Sequence, residues 1–327
     1  MSPSMSVNIK SVTVLCYAFL MFSSCSSVKN FSSAEKNQFF NFESEVRALI
    51  NTPSTIDQTK QTYLILYALP NGNSIEMTAG REMKPDLDWH YDIQHIAAQT
   101  RFLRSVVNDR NIIVAYLECG GKSWPAWRQR HENSSAAIAR IVDYVRFETN
   151  YPESVMLTGH SGGGSFITGY INAFDSIPEF IDRIAYLDAN YRFDDSLRHG
   201  QKLFDWLKAD KSRTLAVIAY NDREIVFNGK KVVSPTGGTF RATQRMTQSF
   251  AARTTVSIRQ DSTIIEYTAL NGSARFIVHT NPDTLILHTV LVERNGFIHS
   301  VLMNTAQEER NYKFLGNRVY NNLISDK

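Results

Sequence analysis

Cysteine is scarce in this 327-residue chain, which has three: Cys16, Cys25 and Cys119. The first two fall in an apolar N-terminal segment, so the body of the protein keeps one thiol and an internal disulfide is excluded. No C-x-x-C pair and no H-E-x-x-H run occurs, so the sequence carries no signature of a metal site. Cys119 stands at a strand end, where a lone cysteine reads as a small buried apolar side chain rather than a nucleophile. Excess charge is lacking too. Lys and Arg number 35 against 32 Asp and Glu, a net charge of +3 without basic runs, which argues against nucleic acid as a partner. There is no internal repeat, and low complexity is confined to a serine-rich stretch near the N-terminus. What remains is an ordinary globular composition, 43% hydrophobic and 20% charged, in a chain long enough for one large core.

The N-terminus carries a targeting pattern. Lys10 precedes a mostly apolar stretch, residues 11–22, with Val12, Val14, Leu15, Phe19, Leu20 and Met21. That is shorter than the ~20 residues a bilayer span requires, which favours a signal peptide. It ends in Phe22-Ser23-Ser24-Cys25 and resembles a bacterial lipoprotein lipobox. The resemblance implies a lipid on Cys25 and an extracytoplasmic, membrane-anchored protein. Phe22 replaces the usual aliphatic residue, so plain secretion or a periplasmic location is the alternative. The expected organisation is a signal at 1–25, a tether at 26–38 and one domain at 39–327.

The richest stretch is Gly159-His160-Ser161-Gly162-Gly163. It lies between a strand-like run, 154–158, and a helix-like one, 164–174, in which Phe166, Tyr170 and Phe174 recur at helical spacing beside Ile167 and Ile171. A G-x-S-x-G in that context reads as a nucleophile elbow, a tight turn that presents a serine hydroxyl. The helix behind it aims free N–H groups and a positive dipole end at any anion formed there. Before it, Ile138, Ile141, Val142 and Val145 predict another helix, with Ser134 or Ser135 as its cap.

Strand-like runs recur at 63–69, 112–117, 184–187, 215–220 and 284–292, with helical segments between most of them. Such alternation predicts an α/β sheet, whose ligands sit beyond the carboxyl ends of the strands. The stretch 224–282 is long for one connection. It contains a helix-like part, 240–252, and strand-like runs at 254–258, 263–268 and 274–279, two of them joined at Asn271-Gly272 as a hairpin.

Ser161, Asp222 and His299 follow one another in the order Ser…Asp…His, each after a strand. Over residues 60–315 the chain resembles the α/β-hydrolase superfamily from its third strand onward; the first two strands are not evident. The resemblance implies a mostly parallel sheet flanked by helices, with 224–282 as a β-rich insertion before the last strand. It also implies roles. Ser161 would be the nucleophile, His299 the base after the last strand, and Asp222 the orienting acid, with Asp188 at the preceding strand end as the alternative. Gly162 would supply one oxyanion donor, and Asn71 or Gly72 the other. His288 falls inside a predicted strand, and His90, His95 and His131 are less well placed. Trp124, Trp127 and His160 are assigned to substrate binding, and Trp89-His90-Tyr91 lies in a loop near the same sheet edge. No cofactor is implied. The expected activity is hydrolysis of a carbohydrate or lipid ester; the rivals are a serine peptidase and a non-catalytic glycan-binding lipoprotein on the same fold.

Overall fold

The computed structural model describes residues 34–42 and 44–326. The expected signal, the lipidation site Cys25 and most of the expected tether lie outside the described residues.

β1 (Glu35–Phe42) and β2 (Val46–Pro53) form an antiparallel pair. There follow β3 (Gln61–Ala68), α1 (Ile75–Ala79), α2 (Ile96–Val106), β4 (Arg110–Cys119), α3 (Trp124–Arg130), α4 (Ser134–Glu148), β5 (Ser154–His160) and α5 (Gly164–Asn172). Then come β6 (Ile181–Leu187), α6 (His199–Ala209), β7 (Thr214–Tyr220) and a small hairpin of β8 (Val226–Phe227) and β9 (Lys230–Lys231). α7 (Thr239–Ala251), β10 (Val256–Gln260), β11 (Ile264–Ala269), β12 (Ala274–His279), α8 (Val290–Glu293) and α9 (Gly296–Leu302) complete the chain.

Ten strands make one sheet in the order β1-β2-β4-β3-β5-β6-β7-β12-β11-β10. Its centre, β4 to β12, is parallel, and antiparallel strands extend it at both edges. Successive side chains of a strand point to opposite faces, so each central strand feeds two cores. In β3, Leu64, Leu66 and Ala68 pack beneath α3 to α7, whereas Tyr63, Ile65 and Tyr67 pack beneath α1, α2, α8 and α9. The apolar stripe of α4 is buried as its spacing predicts, Ile138, Ile141, Val142 and Val145 all being at most 2% exposed. Each such side chain stabilises the fold by about 1.5–3 kcal/mol. The N-cap of α4 is Asn133, with no side-chain cap bond, rather than either serine.

Three expectations are corrected. The first two strands of the pattern exist, and residues 35–38 of the expected tether belong to β1. That strand is polar (EKNQFFNF) and largely exposed, so its hydrophobic pattern gave no signal. It is held instead by Glu35, which bonds Arg101 and Arg104 of α2 at 3.0 and 3.1 Å. Secondly, 274–279 is itself the last parallel strand, paired with β7; the expected β-rich insertion therefore continues the main sheet. Thirdly, 284–292 is no strand. Leu285 and Ile286 are exposed, Leu287 and Leu291 are buried, and the Leu291 N–H donates to the Leu287 carbonyl, the start of a helical turn. A short apolar run fits a buried helix as well as a strand.

Candidate functional site

The elbow is present, with Ser161 at φ +53°. A left-handed torsion on a residue with a Cβ is unfavourable and persists only where its surroundings over-determine it. They do so here by close approach. A Cβ on Gly163 would lie 2.2 Å from the Ala68 carbonyl oxygen, and one on Gly164 would lie 1.7 Å from that of Ala189. The turn is thus wedged between the ends of β3 and β6. A 3₁₀ turn, Ser161–Gly163, leads straight into α5, the Gly164 N–H bonding the Ser161 carbonyl, and Phe166, Ile167, Tyr170 and Ile171 are buried.

Strand register then selects the neighbours. β5 and β6 pair His160 with Leu187, so Ser161 and Asp188 leave the sheet side by side, one strand spacing apart. Asp188 also has a positive φ, +46°, and its carboxylate is buried. One carboxylate oxygen accepts from the Thr239 hydroxyl. The other lies 2.5 Å from Nδ1 of His288, whose side chain is partly exposed. A carboxylate on Nδ1 fixes the tautomer that leaves Nε2 as the proton acceptor.

His160 ties this histidine to the elbow. Its Nε2 donates to the His288 carbonyl at 3.0 Å, and the two rings lie 4.5 Å apart. Burial, then the neighbouring His288, push the His160 imidazole well below its ordinary range, so it is neutral. It is buried rather than the substrate contact expected from sequence, and ties the Ser161 turn to the loop after β12.

Asp222 is not bonded to a histidine. It lies two residues beyond the end of β7, accepts from the Thr239 N–H at 2.7 Å and is pushed up to about 6, first by burial and then by the Asp188 charge. Nor does His299 belong here. It sits inside α9, 3% exposed, with Nδ1 3.0 Å from the Tyr312 hydroxyl and its ring stacked on Phe314. Burial pushes its imidazole down. The expected Asp222–His299 pairing is therefore replaced by Asp188–His288. The misreading came from the strand assigned to 284–292; with β12 as the last strand, His288 is the first histidine after it. The cluster Thr280-Asn281-Pro282-Asp283 was the available signal, because Asn and Pro mark a strand end.

In the turn after β3, the two expected oxyanion candidates, Asn71 and Gly72, differ in their hydrogen bonding. Leu69 N–H bonds Leu117, Gly72 N–H bonds Lys122 at 2.8 Å, and Asn73 N–H bonds Pro70. Pro70 has no N–H. Gly72 is thereby excluded, and the Asn71 N–H is the one amide of this turn without a partner among the described residues. Asn71 also packs on the elbow: a Cβ on Gly162 would lie 1.9 Å from its Oδ1.

Trp124 and Trp127 are core residues rather than substrate contacts. They are 1% and 0% exposed, with Trp124 against Phe166 and the Trp127 N–H on the Ser44 carbonyl at 2.7 Å. Cys119 is buried as expected, and burial pushes its thiol up to about 12.

No protein-family model and no curated protein matches the chain. Among solved structures, a mutant of the feruloyl esterase module from Clostridium thermocellum, complexed with sinapinate, aligns at TM-score 0.50 and 11% identity, over 86% of this chain and 92% of that one. The siderophore hydrolase EstB from Aspergillus nidulans aligns at TM-score 0.42 and 11% identity, over 94% and 100%. A thermostable esterase aligns at TM-score 0.44 and 15% identity, over 76% of this chain and 56% of that one. At such identities the likeness is one of fold. The strand order, the helices on both faces and the strained serine at the end of β5 agree with it: this chain has the α/β-hydrolase fold.

Proposed function

We propose that the chain is a serine hydrolase acting on esters, with Ser161 as nucleophile, His288 as base and Asp188 as orienting acid. The observation that carries the reading is the 2.5 Å contact between His288 Nδ1 and Asp188 beside a serine at positive φ. In the first half-reaction Nε2 of His288 takes the Ser161 proton while Oγ bonds to the ester carbonyl carbon. The oxyanion is received by the N–H groups of Gly162 and Asn71. The imidazolium, stabilised by Asp188, gives its proton to the leaving alcohol, and an acyl-serine remains. Water then attacks that acyl group with the same histidine as base, releasing the acid and restoring Ser161.

The substrate class we infer is a carbohydrate or lipid ester outside the cytoplasm, with the chain anchored through a lipid on Cys25. That placement rests on residues 10–25 of the sequence alone. A purely glycan-binding role would leave the Asp188–His288 contact and the strained Ser161 without a purpose.

Labelling with a fluorescent fluorophosphonate tests the reading. Wild type and His299→Phe are expected to label, whereas Ser161→Ala and His288→Ala are not. Labelling of His288→Ala at the wild-type rate would reject His288 as the base.

A further inference from the structure

We propose that Trp89 is a stacking platform for a pyranose ring of the substrate, a subsite that rests on the esterase reading above and specifies a carbohydrate ester. Trp89 is 62% exposed, whereas the other three tryptophans, Trp124, Trp127 and Trp206, are at most 3% exposed. Its turn is braced at both ends. His90 stacks on the indole, ring centroids 3.9 Å apart, and most of the Trp89 side chain stays exposed. Asp88 caps the turn, accepting from the His90 backbone N–H at 2.9 Å and meeting His90 Nδ1 at 2.5 Å. At the other end Asp92 is held by Arg318 at 2.7 Å and by His95 at 2.8 Å. The Arg81 guanidinium lies 4.5 Å over the Tyr91 ring between them. An aromatic side chain kept immobile in water loses little entropy when a ligand stacks on it.

The turn packs against α1, which begins just after the turn that holds Asn71. Just beyond α1, the Arg81 N–H donates to the Tyr91 carbonyl at 3.4 Å. The Lys122 carbonyl accepts from Gly72, whose neighbour Asn71 packs against Gly162. An exposed indole face, electron-rich and apolar, suits the C–H face of a sugar ring. The partly exposed polar groups around it, Asp88 and His90, match the hydroxyls at that ring's edge. An acyl chain would need a wider apolar floor.

Because the other indoles are buried, tryptophan quenching by acrylamide reads Trp89. The test uses the full-length Ser161→Ala chain in detergent, titrated to 10 mM (roughly the weak end for small ligands) with the neutral hexaoses of xylose, glucose and mannose. Saturable protection from acrylamide by at least one hexaose is expected. For that sugar, calorimetry should show affinity lowered roughly tenfold by Trp89→Ala and largely kept by Trp89→Phe, as loss of an aromatic contact predicts. No protection by any of the three, or protection by palmitate micelles alone, would overturn the proposal. Failure of the esterase reading looks different: no fluorophosphonate labelling of wild type while the sugar response persists.

Discussion

Replacing Asp222 by Asn should stabilise the protein above neutral pH and leave the serine reactive. The carboxyl is 2% exposed, has no ion pair among the described residues and lies close to Asp188. Burial and that second carboxylate raise it from 3.8 to about 6. Between these values the folded state keeps a proton that the unfolded chain has released, so the folded state binds more protons and stability falls as pH rises. The group's contribution is fully favourable below about pH 4 and is lost as pH passes 6. The interval corresponds to about 3 kcal/mol. Asn removes the charge and keeps an oxygen for the Thr239 N–H, which now bonds Asp222 at 2.7 Å. Urea unfolding of Asp222→Asn is therefore expected to give about 3 kcal/mol more stability than wild type at pH 8, and little difference at pH 4. Fluorophosphonate labelling of the variant should remain. A variant less stable than wild type at pH 8 would refute the electrostatic reasoning, and loss of labelling would restore Asp222 as the orienting acid.

Four further outcomes are expected. Asp188→Asn, which leaves the imidazole in the wrong tautomer, should slow hydrolysis of 4-nitrophenyl acetate by about 10⁴-fold with the fold intact by circular dichroism. Gly163→Ala places a Cβ 2.2 Å from the Ala68 carbonyl oxygen, so the elbow must shift; a loss of more than about 2 kcal/mol in urea unfolding is expected, since backbone cannot yield as a flexible side chain does. Trp124→Ala should cost about 3–5 kcal/mol as a core truncation, while Trp89→Ala should change stability by less than about 0.5 kcal/mol. Glu35→Ala removes the carboxylate facing Arg101 and Arg104, and a cost of roughly 3–5 kcal/mol should appear as a lowered Tm.

What was legible in the sequence was local. Val155, Met156 and Leu157 form a buried strand, Gly159 to Gly163 make the turn, and Phe166, Ile167 and Tyr170 face the core behind it. Each signal is a contiguous pattern of period two or 3.6. The partners of Ser161 were harder because they depend on pairing between distant strands. Asp188 outranks Asp222 only once the register sets His160 opposite Leu187. His288 was hidden because Leu285, Ile286 and Leu287 mimic a strand, and two of the three face solvent. β1 was missed for the opposite reason: an edge strand with few apolar residues is fixed by hydrogen bonds and by Glu35, which hydropathy does not register.

The direction of β1 has a consequence for how the molecule can be mounted. Glu35 pairs with Pro53 in β2, and β2 runs from opposite Cys119 back toward the start of β4. The chain therefore enters the sheet at the end where the parallel strands begin, while Ser161 and Asp188 lie where they finish. Seven to ten residues of strand separate the two ends, roughly 23–33 Å. Any support joined ahead of Glu35, whether a resin, a tag or a lipid layer, meets the protein at its base. Ser161 and Asp188 then sit at the far end of the sheet from that attachment.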